Sequence, residues 1–148
     1  MAEFVDEYLT ISEPSQGLFK DRGSKFLAFA YPVTNEQEIK QIQEQLRSEY
    51  HDARHHCYAY MLGPEKLVYR ANDDGEPSST AGKPILGQIR SFDLTNILIV
   101  VIRYFGGTKL GVSGLIHAYK TASEEALKSA NIIKKTLHDI YELKFEYP

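Results

Sequence analysis

Apolar positions recur every three or four residues in some stretches of the chain and alternate or run together in others. Ile39, Ile42, Leu46 and Tyr50 fall at helical spacing behind Thr34 and Asn35, two good N-cap residues with Gln37 and Glu38 three positions on, which predicts a helix start. Leu115, Ile116, Tyr119, Ala122, Ala126 and Leu127 share one broad face and predict a second helix over residues 113 to 130. Ile85, Leu86 and Ile89 follow Pro84, whose missing N–H costs nothing in a first helical turn, and predict a short third helix.

The remaining pattern is that of strands. Residues 24 to 31 are mostly apolar and are closed by Pro32, which has no N–H for a ladder. Residues 54 to 62 and 67 to 71 are strands facing each other across a turn at Gly63 and Pro64. Residues 96 to 104 contain the longest aliphatic run, Ile97 to Ile102, apolar on both faces and therefore expected inside a covered sheet. Residues 4 to 11 have mixed strand character, and turn residues from Glu13 to Gly17 then precede Leu18 and Phe19, which suits a β-hairpin. Residues 136 to 147 alternate, with Leu137, Tyr141, Leu143, Phe145 and Tyr147 on one face and Asp139 as the exception. This order of elements predicts an α+β protein, an α/β sandwich with helices against one sheet.

At 148 residues and 43% hydrophobic composition, the chain fits one domain with a proper core, or one domain plus a fragment. A net charge of -3 argues against coating nucleic acid by bulk charge, while leaving room for a local basic face. The lone Cys57 has no partner for an internal disulfide, and no N-terminal apolar run resembles a signal peptide, so the cytoplasm is the expected location. The aliphatic run at 97 to 102 is far below the ~20 residues of a membrane-spanning helix.

Candidate chemistry concentrates in two loops. Residues 103 to 117 join the buried strand to the long helix through four glycines, and a helix starting near Ser113 aims N–H groups and partial positive charge into the loop. Gly106, Gly107, Lys109 and Ser113 suit an anion, and Arg103 and Tyr104 add a guanidinium for phosphate and a ring for stacking. The spacing matches neither a Walker loop nor a dinucleotide fingerprint. The second loop, residues 72 to 84, carries Asp73, Asp74 and Glu76. These carboxylates have the chemistry for magnesium, but their expected work is to cap a tight turn and pair with Arg103 or Lys83. Alternation puts His55 and Cys57 on one strand face and His56 on the other, so the three do not converge on one ion. Ser78, Ser79 and Ser113 have no Gly-x-Ser-x-Gly elbow around them.

Arg103-Tyr-Phe-Gly-Gly-Thr-Lys-Leu-Gly111 resembles the signature of the IMPACT/YigZ family. The resemblance extends to Ser24-Lys-Phe26, His55-His-Cys57, Asp73-Asp-Gly-Glu-Pro-Ser78, Thr80-Ala-Gly-Lys-Pro84 and Thr95-Asn96, spanning about residues 20 to 131. It implies a fold like the second domain of ribosomal protein S5, with a mixed sheet and helices packed on one face. It also implies a domain over residues 1 to 134, with residues 135 to 148 as an extra strand where bacterial members begin a ferredoxin-like domain. Ser79 and Ser113 stand where the family more often has glycine, and Ser113 would improve the helix cap. Eukaryotic members regulate translation by binding a large activator of a stress kinase. The resulting expectation is a binding domain with no catalytic residue, cofactor or metal, whose partner is RNA, the ribosome or a regulatory protein. Its contact set is Asp73, Asp74, Glu76, Ser78, Thr80, Lys83, Arg103, Tyr104, Gly106, Gly107, Lys109 and Ser113. The competing expectations are a magnesium-dependent phosphate- or nucleotide-handling enzyme on the same loops, and a protein-interaction module alone.

Overall fold

The long central strand and the capped helix behind residue 35 set the architecture. In the computed structural model, which describes residues 7–136, strands β1 (Glu7–Ile11), β2 (Ser15–Asp21) and β3 (Ser24–Pro32) precede helix α1 (Glu36–Glu49). Strands β4 (His55–Leu62) and β5 (Val68–Asn72) lead to α2 (Gly82–Ser91), β6 (Ile97–Tyr104), α3 (Gly111–Lys128) and β7 (Ile132–Thr136). Five strands form the main sheet in the order β2-β3-β6-β4-β5, and each neighbouring pair is antiparallel. Because β3 and β4 both run against β6, they run parallel to each other, and α1 is the crossover between them.

Local chemistry explains the boundaries. Asn35 accepts the Glu38 N–H at 2.9 Å, and Glu38 reaches back to the Thr34 N–H at 2.6 Å, so α1 opens with a reciprocal cap. The Arg22-Gly23 turn closes β2 onto β3 with both residues at positive φ. β6 lies at the centre of the sheet with Ile97 through Arg103 buried, as its unbroken apolar run requires.

Two apolar layers flank the sheet. Phe26, Ile99, Val101, Ile85, Ile89, Leu115 and Tyr119 pack under α2 and α3, whereas Phe29, Leu98, Val100, Ile102, Ile39 and Leu46 pack under α1. The α+β sandwich is therefore present, but its helices cover both faces rather than one. The reason lies in β6 itself, which presents aliphatic side chains alternately to each side and needs both covered. The sheet is antiparallel in its ladders, and among the described residues parallel pairing is confined to an isolated bridge between Leu9 and Leu94.

Three local expectations are corrected. β1 does not form a hairpin with β2. It pairs antiparallel with β7, Ile11 opposite Ile132, while residues 15 to 17 lie within β2 rather than in a turn. Helix α3 starts at Gly111, two residues before Ser113, and its N-cap position is Leu110, which makes no side-chain hydrogen bond. Ile116 is 38% exposed, on the margin of the α3 face that buries Leu115 and Tyr119. The alternation expected at Leu137, Asp139, Tyr141, Leu143, Phe145 and Tyr147 lies outside the described residues, as do residues 1–6.

Candidate functional site

The loop between β5 and α2 is built around Asp73. One Asp73 carboxylate oxygen accepts the Ser79 N–H at 2.8 Å, and the other accepts the Ala81 and Gly82 N–H groups at 3.1 and 2.8 Å. Helix α2 has no cap from its own N-cap residue, Ala81, so Asp73 supplies both the acceptor and the negative charge its N-terminus favours. Asp74 accepts the His56 N–H at 2.7 Å and faces Arg47 at 3.4 Å. Thr80 is buried and donates to the Pro77 carbonyl at 2.6 Å, while Ser78 is exposed on the loop surface. Ser79 holds φ at +66°, the left-handed region that favours glycine.

Glu76 reaches inward instead of outward. Its carboxylate accepts from Arg103 Nη1 at 2.8 and 3.0 Å and from the Tyr119 hydroxyl, and His55 Nε2 lies 3.7 Å away. Glu76 and Arg103 are 8% and 7% exposed, so this is a buried ion pair with its remaining valences partly filled by hydrogen bonds. The Arg103 guanidinium lies 5.4 Å from the Phe26 ring centroid and 5.6 Å from that of Phe105. Cys57 belongs to the same cluster, donating to the Asp73 carbonyl at 3.0 Å, with its sulfur 3.4 Å from the Tyr119 oxygen. Burial pushes the Cys57 thiol and the Tyr119 hydroxyl above their ordinary values, which keeps both neutral.

The glycine loop docks on the β2–β3 turn. A Cβ on Gly106 would fall 2.0 Å from the Gly23 carbonyl carbon, so only glycine permits this approach, and the Gly106 N–H donates to Ser24 Oγ at 3.1 Å. Gly107, Lys109 and Ser113 are exposed, Ser113 within the first turn of α3. No acidic residue occupies that first turn.

Between the two loops lies a groove of about 390 Å³, lined by Glu76, Arg103, Phe105, Lys109, Leu110 and Val112 among others. Phe105 and Val112 are 59% and 60% exposed. Acidic and glycine loops thus do form one composite surface, tied beneath by the Glu76–Arg103 pair.

Not every expected contact joins it. Tyr104 projects to the opposite face of the sheet from Arg103, where its hydroxyl donates to Asp52 at 2.8 Å. Burial and that acceptor push the Tyr104 hydroxyl up to about 12. Lys83 is exposed on α2 beside Tyr69 and Arg90, away from the groove. His56 points toward α1, so the His55, His56 and Cys57 side chains separate as the strand period requires. Tyr119, Phe105, Leu110 and Val112 were missing from the expected contact set. A tyrosine on an otherwise apolar helical face is a usable signal, because its buried hydroxyl needs a partner. Among the described residues no group of three or more His, Cys, Asp and Glu is arranged to hold a metal ion, and no helix is long and apolar enough to cross a membrane.

Comparison with known proteins places these features in context. Residues 22–127 match the Impact N-terminal domain. The chain is 35% identical to the IMPACT family member YvyE of Bacillus subtilis, over 97% of this chain and 66% of that protein. It is 34% identical to the IMPACT family member YigZ of Escherichia coli, over 97% of this chain and 71% of that protein. A crystal structure of a hypothetical protein aligns with a TM-score of 0.86 at 33% identity, covering 90% of this chain and 66% of the other. The chain thus spans about two thirds of the length of these relatives.

Proposed function

Because this chain belongs to the IMPACT family, we propose that it is a binding domain in the regulation of translation, contacting its partner through loops 72–84 and 103–114. The family resemblance supports the link to translation, and the groove between the loops supports the binding role. One observation carries the choice of surface: the buried Glu76–Arg103 pair ties the two loops together and leaves Phe105, Val112 and Lys109 on their outer side.

Regulatory and ribosomal proteins fit this surface better than an RNA backbone does. Arg103 is neutralised by Glu76, and Tyr104 faces the other side of the sheet, so the guanidinium and ring do not join at the groove. What remains is an aromatic and an aliphatic anchor beside one lysine and the start of α3, which suits an apolar side chain flanked by a carboxylate. The magnesium-enzyme alternative has less support, since both Asp73 oxygens are occupied by loop amides and Glu76 by Arg103 and Tyr119.

The test is a Phe105→Ala, Val112→Asp double variant, expected to fold normally because both side chains are exposed and to lose association with translation components. Retained association in a folded variant would refute the assignment of this groove.

A further inference from the structure

The two edges of the main sheet are treated differently. At one edge, β2 lies against α3. A Cβ on Gly17 would fall 2.3 Å from the Ala126 nitrogen, Ser15 Oγ donates to the Ala126 carbonyl at 2.8 Å, and Ser129 Oγ donates to the Gln16 carbonyl at 2.8 Å. At the other edge, β5 has β4 on one side and, among the described residues, no strand beyond it. Such an edge offers a row of backbone N–H and C=O groups to any extended chain.

The side chains around β5 are exposed and are apolar or basic. Leu67, Val68 and Tyr69 are 76%, 47% and 53% exposed. On the α2 side, Lys83, Gly87 and Arg90 form a helical stripe along a groove of about 480 Å³ that Tyr69 also lines. The Arg90 guanidinium sits 4.8 Å from the Tyr69 ring centroid. On the α1 side, Arg70 lies 5.9 Å from the Tyr58 ring centroid. Among the described residues neither Lys83, Arg70 nor Arg90 forms an ion pair with a carboxylate, and no carboxylate lines the groove. In a chain of net charge -3, this edge is a local basic and apolar exception.

We infer that β5 accepts an extended, acidic segment of a partner protein by strand addition, with apolar partner side chains against Val68 and Tyr69 and carboxylates against Arg70, Lys83 and Arg90. Exposed leucine and valine favour a polypeptide, since a phosphodiester backbone has no use for them. The surface is separate from the loop groove and goes beyond the function proposed for it.

Gly87 gives a clean test, because a Cβ there meets nothing within 4 Å. A random dodecapeptide library is selected against the folded chain, and enriched peptides are mapped by amide chemical shifts. The expected peptides carry Asp or Glu and apolar residues on both faces of an extended segment, shift the Val68, Tyr69 and Arg70 amides, and bind Gly87→Glu at least tenfold more weakly while binding Gly87→Gln normally. Val112→Asp leaves this binding unchanged. No enrichment, peptides without acidic bias, a footprint elsewhere, or equal binding to both Gly87 variants overturns the proposal. So does a 12-mer oligouridylate that binds the same amides more tightly than the peptides.

Discussion

The Glu76 carboxylate and the Arg103 guanidinium meet at 2.8 and 3.0 Å beneath two loops that begin 31 residues apart in the chain, at 72 and 103, and both side chains are more than nine-tenths buried. An ion pair in this setting specifies geometry more than it adds stability, because desolvation offsets much of the attraction. Breaking it from one side is a different matter.

Arg103→Met leaves the Glu76 charge buried with the Tyr119 hydroxyl and His55 Nε2, 3.7 Å away, as its remaining partners. The expected loss is about 3 to 5 kcal/mol by urea unfolding. Adding Glu76→Gln to that variant removes the orphaned charge and should restore more than half of the loss. A single Arg103→Met variant as stable as the parent would contradict the buried pair.

Asp73→Ala removes the acceptor for three loop amides at once. We expect a loss of about 2 to 3 kcal/mol, because the donors of Ser79, Ala81 and Gly82 lose a charge-assisted partner and α2 loses its cap. Amide hydrogen exchange should accelerate at those three positions first. Uniform acceleration across the chain would show instead that Asp73 supports the whole core and not the loop.

Ser79→Gly should raise stability by about 0.5 to 1 kcal/mol, since the left-handed φ of +66° is costly for serine and the gain exceeds glycine's extra freedom in the unfolded chain. Thermal unfolding of the variant reads this directly, and a lower melting temperature would contradict the strain.

His56 predicts acid sensitivity. Its Nε2 lies 3.0 Å from the Tyr50 carbonyl and its Nδ1 is buried without a partner, so a second proton has no acceptor to meet. Burial lowers its affinity for that proton, with Arg47 opposing and Asp74 favouring the charged form. The unfolded chain therefore takes up the proton at higher pH than the folded one. Stability is full above the ordinary histidine value of 6.5 and falls as pH drops below it. His56→Gln should flatten this part of the stability profile between pH 6.5 and 5, and an unchanged slope would assign it to other groups.

Much of the fold was legible from local chemistry. Asn35 and Glu38 announce α1, and the run from Ile97 to Ile102 announces a strand buried on both sides. The β1–β7 pairing was not legible, because it joins residues more than a hundred positions apart with no turn between them to fix the register. The start of α3 was misplaced by preferring Ser113, a good capping residue, to Leu110, which caps with no side chain at all. In the site, the location of both loops was legible from glycines and carboxylates. The separation of Arg103 from Tyr104 follows from the same alternation that separates His55 from His56. The inward turn of Glu76 depends on Tyr119, which arrives from another element.

We propose that the groove flanked by Phe105, Lys109 and Val112 carries the domain's contact with the translation machinery. Sucrose-gradient sedimentation of a translating extract containing either the parent protein or the Phe105→Ala, Val112→Asp variant tests it most directly. The parent should migrate with ribosomal or factor-bearing fractions while the folded variant stays at the top. Identical profiles for the two proteins would show that this groove does not hold the partner.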